Sequence, residues 1–321
     1  MFKVYWQGQT IVLNEQESVL DALLRKGIDL PYSCKSGNCH TCMLQAEQGD
    51  VTDSQPDIRA SWKELGYFLP CICHPEGELT LAAIEQDEIF TSARVTAIEH
   101  LSERICRVTF DPATPFDYHA GQFINLKRTD GLKRSYSLAS LPTQDSMLEI
   151  HVQQMEKGTM SQWIHQELSV GDSVDICGPF GHCYYQKMAK SAPILLIGTG
   201  SGLAPLMGIV RDALDNNHQG DIYLYHGSRT INGLYGQDFL TNLAKKFGNF
   251  HYCGAVSGTE MKGADRIHAD DLALKNHKSL KGWQVYLCGH PAMVAKMKKR
   301  AYLAGAEIKH IYADPFITKE E

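Results

Sequence analysis

Three cysteines, Cys34, Cys39 and Cys42, lie within nine residues, and Cys71 follows after 28 intervening residues. The pattern C-x4-C-x2-C…C is typical of a loop that holds a two-iron, two-sulfur cluster. Such a cluster is wider than one metal ion, so its first ligand gap has to be longer than the two-residue gap of a zinc knuckle. The small residues in that gap let backbone N–H groups turn toward the sulfurs, and Gly37 can adopt dihedral angles that other residues avoid. The spacing therefore predicts a [2Fe–2S] site.

Zinc is the main alternative for this group of cysteines. Zinc prefers paired C-x2-C units or short mixtures of cysteine and histidine. Cys39 and Cys42 form one such unit, but Cys73 follows the cysteine before it by only two positions and forms no second unit. His40 or His74 could act as a zinc ligand, yet either would leave Cys34 without a role.

Disulfides are a weaker alternative, because the chain carries 10 cysteines but no export signal at its N-terminus. This combination favours a reducing, cytoplasmic location in which thiols persist. The net charge of −6 is mild, and no basic stripe alternates with aromatic residues, which argues against a nucleic-acid partner. The most apolar window, residues 192–210, contains four glycines and two prolines, so it fits a strand, a turn and a helix better than a membrane span.

The 321 residues are enough for two or three domains. The pattern of residues 1–88 predicts a β-grasp-like unit. It begins with a hairpin that turns near Gly8, followed by a helix that is capped by Ser18 and ends at Gly27, and a second short helix lies near residues 58–65. Between these elements and a closing strand lies the cysteine loop.

The remaining chain divides into two predicted domains. Residues 89–188 contain short strands bounded by Pro, Gly and Asp, which favours an antiparallel β-barrel, with one helix at residues 161–167. Residues 189–321 alternate apolar strands with helices, which is typical of a parallel, Rossmann-like sheet. The predicted fold class is thus multidomain α+β and α/β.

The segments "LPYSCKSGNCHTC" and "GYFLPCICHPEGELTL" resemble the loop and closing strand of a plant-type ferredoxin domain. The resemblance implies that Cys71, rather than Cys73, supplies the fourth ligand after Cys34, Cys39 and Cys42. Cys73 is then expected to be a small buried hydrophobic residue. His40 drops out of the ligand set and is expected to be a surface residue beside the cluster.

Four segments in the second block point to an aromatic cofactor with a pyrophosphate. A helix opened by Gly158 and Ser161, with Met160 between them, offers N–H donors and a positive dipole end to a pyrophosphate. Arg134 can add a charge-assisted contact to the same group, and Tyr136 offers a flat partner for an aromatic ring. The segments "GQFI" (121–124) and "GPFG" (178–181) complete the pattern. Taken alone, the tetrapeptide "RSYS" would be an ordinary polar strand end.

Together these segments resemble the flavin-binding barrel of the ferredoxin–NADP reductase superfamily. The resemblance implies that Arg134 contacts the FAD pyrophosphate, Tyr136 packs on the isoalloxazine and Ser137 lies near its reactive nitrogen. FAD is favoured over FMN because the iron–sulfur domain is N-terminal, whereas the FMN-bearing relatives carry it at the other end.

The third block opens with an apolar strand that leads into a glycine turn and a helix. Glycines 198, 200 and 202 can let a diphosphate approach the backbone at a helix N-terminus. This is not the dehydrogenase G-x-G-x-x-G fingerprint, because the final glycine comes one residue early, and an ordinary βα turn is the alternative. The turn and the segment "YLCGHPAMV" resemble the nicotinamide domain of the same superfamily. The resemblance places Cys288 and Gly289 where the nicotinamide meets the flavin, although Cys288 could also be a plain core thiol.

Two residues bear on nucleotide choice and on flavin shielding. No acidic residue that would grip the ribose 2′-hydroxyl follows the second strand. Arg229 could pair with a 2′-phosphate, yet NADH-using relatives also carry an arginine there, and NADH is slightly favoured. Phe316, near the C-terminus, could shield the flavin as an aromatic does in relatives, or simply pack.

The order of the three motif sets resembles the reductase components of bacterial multicomponent oxygenases and the deoxysugar reductases. The resemblance implies an NAD(P)H-dependent electron-transfer oxidoreductase that passes hydride to FAD and then single electrons through [2Fe–2S]. Its partner is expected to be a terminal oxygenase docking near Cys34–Cys42. The alternatives are a reductase for a non-oxygenase partner, such as a deoxysugar dehydratase, and a non-enzymatic metal-binding module without flavin.

Overall fold

The structure is a computed structural model that describes residues 2–51, 55, 58–82, 89–187, 190–258 and 266–317. Its strands form three sheets in chain order: a mixed five-stranded sheet, a six-stranded antiparallel sheet and a five-stranded parallel sheet. The predicted multidomain α+β and α/β fold class is confirmed. The two predicted boundaries, 88/89 and 188/189, fall at residues 83–88 and 188–189, which lie outside the described residues, so they stay predictions.

The N-terminal unit is a β-grasp fold. It contains β1 (Lys3–Trp6), β2 (Gln9–Val12), α1 (Val19–Arg25), β3 (Leu44–Gln48), α2 (Ala60–Glu64), β4 (Tyr67–Phe68) and β5 (Leu79–Leu81), in the sheet order β2-β1-β5-β3-β4. The Ser18 side chain accepts the Asp21 N–H at 3.1 Å and so satisfies a free donor at the start of α1. Gly27 has a positive φ of 77° just after α1, as the sequence predicted for the end of this helix.

The second unit, called the barrel, is antiparallel throughout. It consists of β6 (Thr91–Ser102), β7 (Ile105–Pro112), β8 (Phe123–Lys127), β9 (Lys133–Ser137), β10 (Leu148–Gln153), α3 (Thr159–Gln166) and β11 (Ser173–Phe180). The sheet order is β10-β7-β6-β11-β8-β9, and a bridge between Leu138 and Ile150 joins its two edges. That bridge closes the barrel. The helix α3 begins two residues earlier than the sequence predicted, with Gly158 at its N-cap position.

The C-terminal unit is a parallel sheet with its helices in the crossovers. Its elements are β12 (Ile194–Thr199), α4 (Leu203–Asp215), β13 (Ile222–Ser228), α5 (Gln237–Lys246), β14 (Phe250–Val256), α6 (Ala269–Asn276), β15 (Gln284–Gly289), α7 (Pro291–Leu303) and β16 (Ile311–Pro315). The order β14-β13-β12-β15-β16 places β12 at the centre. In such sheets, ligands bind at the carboxyl ends of the strands where the order reverses, which here is beside β12.

Apolar residues of the barrel extend into the core of the N-terminal unit. Phe123, Cys177 and Phe180 of the barrel are buried in one hydrophobic core with the residues that surround the cysteine loop. His40 is only 2% exposed, and its ring centroid lies 4.4 Å from that of Phe180. The prediction that His40 is a surface residue is therefore wrong. The reason is that the barrel covers this side of the loop and removes apolar area from water.

Among the helices of the described residues, none combines the length and the apolar character needed to cross a bilayer.

Candidate active site

One cleft of about 1960 Å³ is lined by residues of all three units. The predicted site residues that line it are Cys34, Cys39, Arg134, Tyr136, Ser137, Gly158, Met160, Ser161, Gly200, Arg229, Gly289 and Phe316. The cleft lining does not include the other predicted site residues, which are Cys42, Cys71, Gly198, Gly202 and Cys288. The cysteine loop, the "RSYS" strand and the glycine turn, far apart in sequence, therefore face one space.

The four predicted cluster ligands form two pairs. Cys34 Sγ accepts hydrogen bonds from the N–H groups of Ser36 and Cys39, at 3.4 and 3.3 Å. In each pair, the largest influence on the thiol pKa is the contact with the partner sulfur. This contact lowers the pKa of Cys34 in one pair and the pKa of Cys71 in the other. The same contact, together with burial, raises the pKa of the other thiol of each pair, which is Cys39 or Cys42 respectively. Thiolates that accept backbone N–H groups are the donors that an iron–sulfur cluster requires, so the set fits this group.

Backbone geometry in the cysteine loop follows the sequence prediction. Gly37 has φ of 77°, and a Cβ there would lie 2.7 Å from Ile72 Cδ1. Only glycine meets both conditions without strain. The Gly37 N–H is directed at Cys71 and contributes to the lowered pKa of that thiol.

Cys71 and Cys73 differ in their surroundings. Cys71 shares a hydrogen bond with Cys42, whereas Cys73 is fully buried in the core of the N-terminal unit. The Cys73 carbonyl accepts the N–H of Val19, the first residue of α1, at 3.0 Å. This placement fits the predicted choice of Cys71 as the fourth ligand.

Strand β9 connects the cysteine loop to the barrel. Ser135 Oγ lies 3.2 Å from the Cys39 carbonyl oxygen and 3.4 Å from Thr41 Oγ1. It also lies 2.8 Å from Oδ1 of Asn125, a buried residue of β8. No role for Ser135 was predicted from the sequence. Its place between Arg134 and Tyr136 was the available signal, but the partner loop could not be known without the fold.

The start of α3, where the sequence predicts an anion site, is built around Ser161. Ser161 Oγ donates to the Gly158 carbonyl at 3.0 Å and accepts the Met155 N–H at 3.1 Å, so this hydroxyl closes the loop before the helix. A Cβ at Gly158 would lie 2.5 Å from Ser161 Oγ, which explains the glycine. Arg134 lines the same cleft and donates to the Lys133 carbonyl at 2.8 Å. A helix N-terminus, an arginine and the half-buried ring of Tyr136 fit a pyrophosphate attached to an aromatic cofactor.

Ser137 contacts a residue that was not predicted to belong to the site. Its Oγ donates to Asp314 Oδ2, in β16, at 2.6 Å. Burial raises the pKa of Asp314 to about 6, while the hydrogen bond from Ser137 acts in the opposite direction. An acidic residue in the otherwise apolar tail "IYADPF" was the sequence signal, but only the sheet brings β16 next to Cys288 and the barrel.

The glycine turn after β12 is shaped mainly by close packing. A Cβ at Gly202 would lie 2.4 Å from the Cys288 carbonyl, and one at Gly198 would lie 2.8 Å from Leu206 Cδ1. Gly200, with φ of 55°, lines the cleft. Gly289, with φ of 113°, has the Thr199 carbonyl 2.6 Å from its Cβ position. The turn therefore lies directly against the end of β15, and direct contact with a diphosphate remains a prediction.

Cys288 is fully buried at the end of β15, between Gly198 and Asp314 of the neighbouring strands. Its Sγ lies 3.6 Å from that of Cys183, in the segment that follows the barrel. Burial, and then contact with Cys183, raises the pKa of the Cys288 thiol. Cys288 thus lies just beneath the cleft surface, so its predicted catalytic contact stays a prediction.

The C-terminal tail crosses the cleft. The Phe316 N–H donates to the Gly289 carbonyl at 2.8 Å, and its half-buried side chain lines the cleft. The Ile317 carbonyl accepts the Ser33 hydroxyl at 2.8 Å, next to the cysteine loop. The tail therefore joins the C-terminal unit to the N-terminal unit.

An iron–sulfur loop, a flavin-type barrel and a parallel nucleotide-binding sheet around one cleft define an electron-transfer oxidoreductase. Three sequence families match in the same order. Residues 3–76 match a 2Fe-2S iron-sulfur cluster binding domain, residues 92–185 an oxidoreductase FAD-binding domain and residues 196–299 an oxidoreductase NAD-binding domain.

Whole-chain relatives agree with these matches. The chain is 33% identical to the reductase component of the naphthalene 1,2-dioxygenase/salicylate 5-hydroxylase systems of Ralstonia sp., over 93% of each chain. It is 29% identical to protein RfbI of Salmonella typhimurium, over 94% of this chain and 92% of that protein. The crystal structure of the Amycolatopsis cytochrome P450 reductase GcoB aligns with a TM-score of 0.70 at 29% identity, over 98% of this chain and 99% of that one.

The chain belongs to the family of three-domain ferredoxin–NAD(P)H reductases in the ferredoxin–NADP reductase superfamily. It is an oxidoreductase whose cofactors are a [2Fe–2S] cluster, FAD and NAD(P)H.

Proposed function

We propose that the protein carries electrons from NAD(P)H to a terminal oxygenase component, with NADH slightly preferred. FAD accepts a hydride and releases electrons singly, so it can join a two-electron donor to a one-electron [2Fe–2S] acceptor. The single observation that carries the proposal is the placement of β9, which contacts the cysteine loop through Ser135 and the C-terminal unit through Ser137. The similarity to the dioxygenase and hydroxylase reductase component supports the oxygenase partner.

The proposed roles of the site residues follow from their positions. Cys34, Cys39, Cys42 and Cys71 ligate the cluster. The α3 N-terminus (Gly158, Met160, Ser161) and Arg134 hold the FAD pyrophosphate, and Tyr136, Ser137 and Phe316 surround the isoalloxazine. The turn at Gly198, Gly200 and Gly202, with Arg229, Cys288 and Gly289, receives the nicotinamide nucleotide. The domain limits 1–88, 89–188 and 189–321 and a cytoplasmic location belong to the same proposal.

The cysteine loop has two different sides, and we assign electron entry to one and exit to the other. The side formed by Cys39 to Thr41 lies against the barrel. On the other side, Lys35 and Ser36 are exposed, and the Ser36 N–H contacts Cys34 Sγ. The partner oxygenase is therefore proposed to dock over Lys35 and Ser36 rather than over the whole loop.

Replacement of Lys35 by Glu tests this docking surface. Lys35 pairs with Asp21 at 2.7 Å in an exposed position, so the pair contributes little to stability, on the order of 0–1 kcal/mol. The exchange should slow acceptor reduction in a way that depends on salt and leave flavin reduction by NADH unchanged. Lys26→Glu, at the end of α1 in the same unit, is the matched control. Equal effects of the two exchanges on acceptor reduction would contradict the assigned surface.

An anaerobic titration of the purified protein tests the function itself. Flavin bands and a cluster shoulder that both bleach on addition of NADH are expected. A colourless, zinc-loaded protein would contradict the proposal and favour a metal-binding module. A titration with NADPH in parallel tests the preference for NADH.

A second partner class is a non-oxygenase enzyme, such as a deoxysugar dehydratase. The similarity to protein RfbI over nearly the whole chain supports this alternative. Capture of the partner followed by acceptor-reduction assays separates the two: a Rieske-type or di-iron oxygenase reduced at the higher rate favours the first, and a dehydratase favours the second.

A further inference from the structure

Two buried thiols meet where the barrel joins the C-terminal unit. Cys183 follows the barrel and lines the cleft at 5% exposure, while Cys288, fully buried, is the last residue but one of β15. The two Sγ atoms are 3.6 Å apart, about 1.6 Å more than the length of a disulfide bond, so one sulfur can attack the other after a shift of that size.

We propose that Cys183 and Cys288 form a peroxide-sensitive dithiol whose oxidation to a disulfide slows hydride entry into the enzyme. In a pair of this kind, the more accessible cysteine is oxidised first and a neighbouring cysteine resolves the product. Cys183, which lines the cleft, takes the first role, and Cys288 takes the second.

The reaction balances with a peroxide as the oxidant. Cys183 Sγ attacks the O–O bond of hydrogen peroxide, forming a sulfenic acid and releasing one water. Cys288 Sγ then attacks Cys183 Sγ; the S–S bond forms, the S–O bond breaks, and hydroxide leaves as a second water with the Cys288 proton. Two thiols and one peroxide thus give one disulfide and two waters.

The surroundings give the disulfide a mechanical effect. The Cys183 backbone is fixed to the barrel, because a Cβ at Gly121 would lie 2.5 Å from the Cys183 carbonyl. Just before it, Gly181 accepts a hydrogen bond from the Gln122 side chain at 3.1 Å. Forming the S–S bond therefore has to draw Cys288 toward the barrel, by about 1.6 Å at the sulfur.

The strand end that carries Cys288 has no room to move alone. The Cys288 carbonyl lies 2.4 Å from the Cβ position of Gly202, so the glycine turn packs directly on it. A displaced Cys288 pushes this turn and the neighbouring Gly289, which line or support the nicotinamide side of the cleft. Because hydride transfer is sensitive to misplacement on the scale of 1 Å, the rate is expected to fall roughly tenfold to a hundredfold. This consequence rests on the proposed function.

The test uses the purified holoprotein treated with limited hydrogen peroxide. Non-reducing peptide mapping should find a Cys183–Cys288 link in the wild type, with a loss of two hydrogens in the intact mass. Stopped-flow flavin reduction by NADH should slow in the treated wild type and recover with dithiothreitol. Cys183→Ser should form no link and keep its rate after peroxide. Cys253→Ser, which removes a half-buried cysteine from β14, is the matched control and should behave like the wild type.

Damage to the iron–sulfur cluster by peroxide affects the wild type, Cys183→Ser and Cys253→Ser equally. The informative quantity is therefore the difference between these proteins in the rate of flavin reduction after peroxide. Absence of the link in treated wild type, or a link that leaves the rate of flavin reduction unchanged, would overturn the proposal. If untreated protein shows no flavin reduction by nicotinamide, the proposed function fails instead, while the peptide map still decides whether the dithiol forms.

Discussion

Strand β9 presents two serines, two positions apart, to two different neighbours. Ser135 meets the neutral backbone carbonyl of Cys39, in the cysteine loop, at 3.2 Å. Ser137 meets the carboxyl group of Asp314, in the C-terminal unit, at 2.6 Å. Since residues two apart lie on the same face of a strand, one face of β9 serves both ends of the proposed electron path.

The difference lies in the charge of the partner. The contact with the Cys39 carbonyl involves no titratable group, so the step toward the cluster should depend little on pH. The contact with Asp314 involves a carboxyl group with a pKa of about 6, so the nicotinamide step should change near that pH. One strand therefore joins a pH-independent contact to a pH-dependent one, and four variants can test this contrast.

The largest effect is expected for Cys71→Ser, which should remove the two irons and abolish reduction of the protein acceptor. A hydroxyl is a poor replacement for a thiolate ligand in a [2Fe–2S] site. Flavin reduction by NADH should survive, because the proposed hydride step takes place on the Ser137–Asp314 side of β9 and does not involve the cluster. The matched variant Cys73→Ser should keep two irons, as measured by iron content and visible absorbance. The reverse outcome would show that the fourth ligand is Cys73.

Arg134→Ala removes the guanidinium group that is proposed to hold the FAD pyrophosphate. Both flavin reduction and cluster reduction depend on bound FAD. Loss of a charge-assisted hydrogen bond of about 1.5–3 kcal/mol should weaken FAD binding by roughly ten- to a hundredfold. Fluorescence titration of the apoprotein with FAD measures the change, and Arg134→Lys should recover part of the affinity. Undiminished FAD affinity in Arg134→Ala would show that another group holds the pyrophosphate.

Asp314→Asn tests the pH-dependent contact, which is the one between Ser137 and Asp314. An ionised carboxylate beside the site favours a positively charged nicotinamide ring, the product of hydride loss, so the wild-type rate should rise as the pH passes upward through about 6. The variant should lose this rise and be slower above it by roughly tenfold, or about 1.4 kcal/mol in the barrier. Stopped-flow flavin reduction between pH 5 and pH 8 provides the measurement, with about 6 as the expected midpoint. A rise that persists in Asp314→Asn would assign it to another group.

The same residue gives a stability test with a defined sign. Because the pKa of Asp314 is raised in the folded chain, the folded state binds this proton more tightly than the unfolded state does. Its contribution to the free energy of unfolding is therefore present below the ordinary carboxyl pKa and is lost as the pH rises through about 6. Thermal melts of the apoprotein should show less pH dependence over this window in Asp314→Asn than in the wild type.

The smallest effect is expected for Ser135→Ala. It removes the hydroxyl between Cys39 and Asn125 and should slow electron transfer to the cluster a few-fold, roughly 0.5–1.5 kcal/mol for one hydrogen bond. The pH dependence of flavin reduction should be unchanged, and Ser135→Thr, which keeps the hydroxyl, should behave like the wild type. An altered pH profile in Ser135→Ala would remove the distinction between the two contacts.

Local patterns were predicted well from the sequence. The start and end of α1 follow from Ser18 and Gly27, and the loop geometry follows from Gly37, because capping and positive φ angles are properties of short segments. The cysteine spacing predicts the [2Fe–2S] site for the same reason, since the ligand loop is local.

Contacts between distant segments could not be predicted in this way. His40 was expected at the surface, but Phe180 of the barrel covers it. Asp314 was not assigned to the site, because its partner Ser137 comes from another sheet. The close packing of Gly198 against Leu206 and of Gly202 against the Cys288 carbonyl was not predicted, while the approach of a diphosphate to these glycines stays a prediction.

The three units and their order can be predicted from the amino-acid sequence, because turns, strand and helix periodicity and cysteine spacing are properties of short stretches. The flavin and nicotinamide assignments came from the resemblance of local motifs to a known superfamily. The contacts between distant groups became known from the folded chain: the cysteine loop with Ser135, Asp314 with Ser137, and Cys183 with Cys288. The physical reason is that these pairs are joined by packing between units. That packing depends on the shape of whole surfaces and leaves no periodic trace in the residues that it brings together.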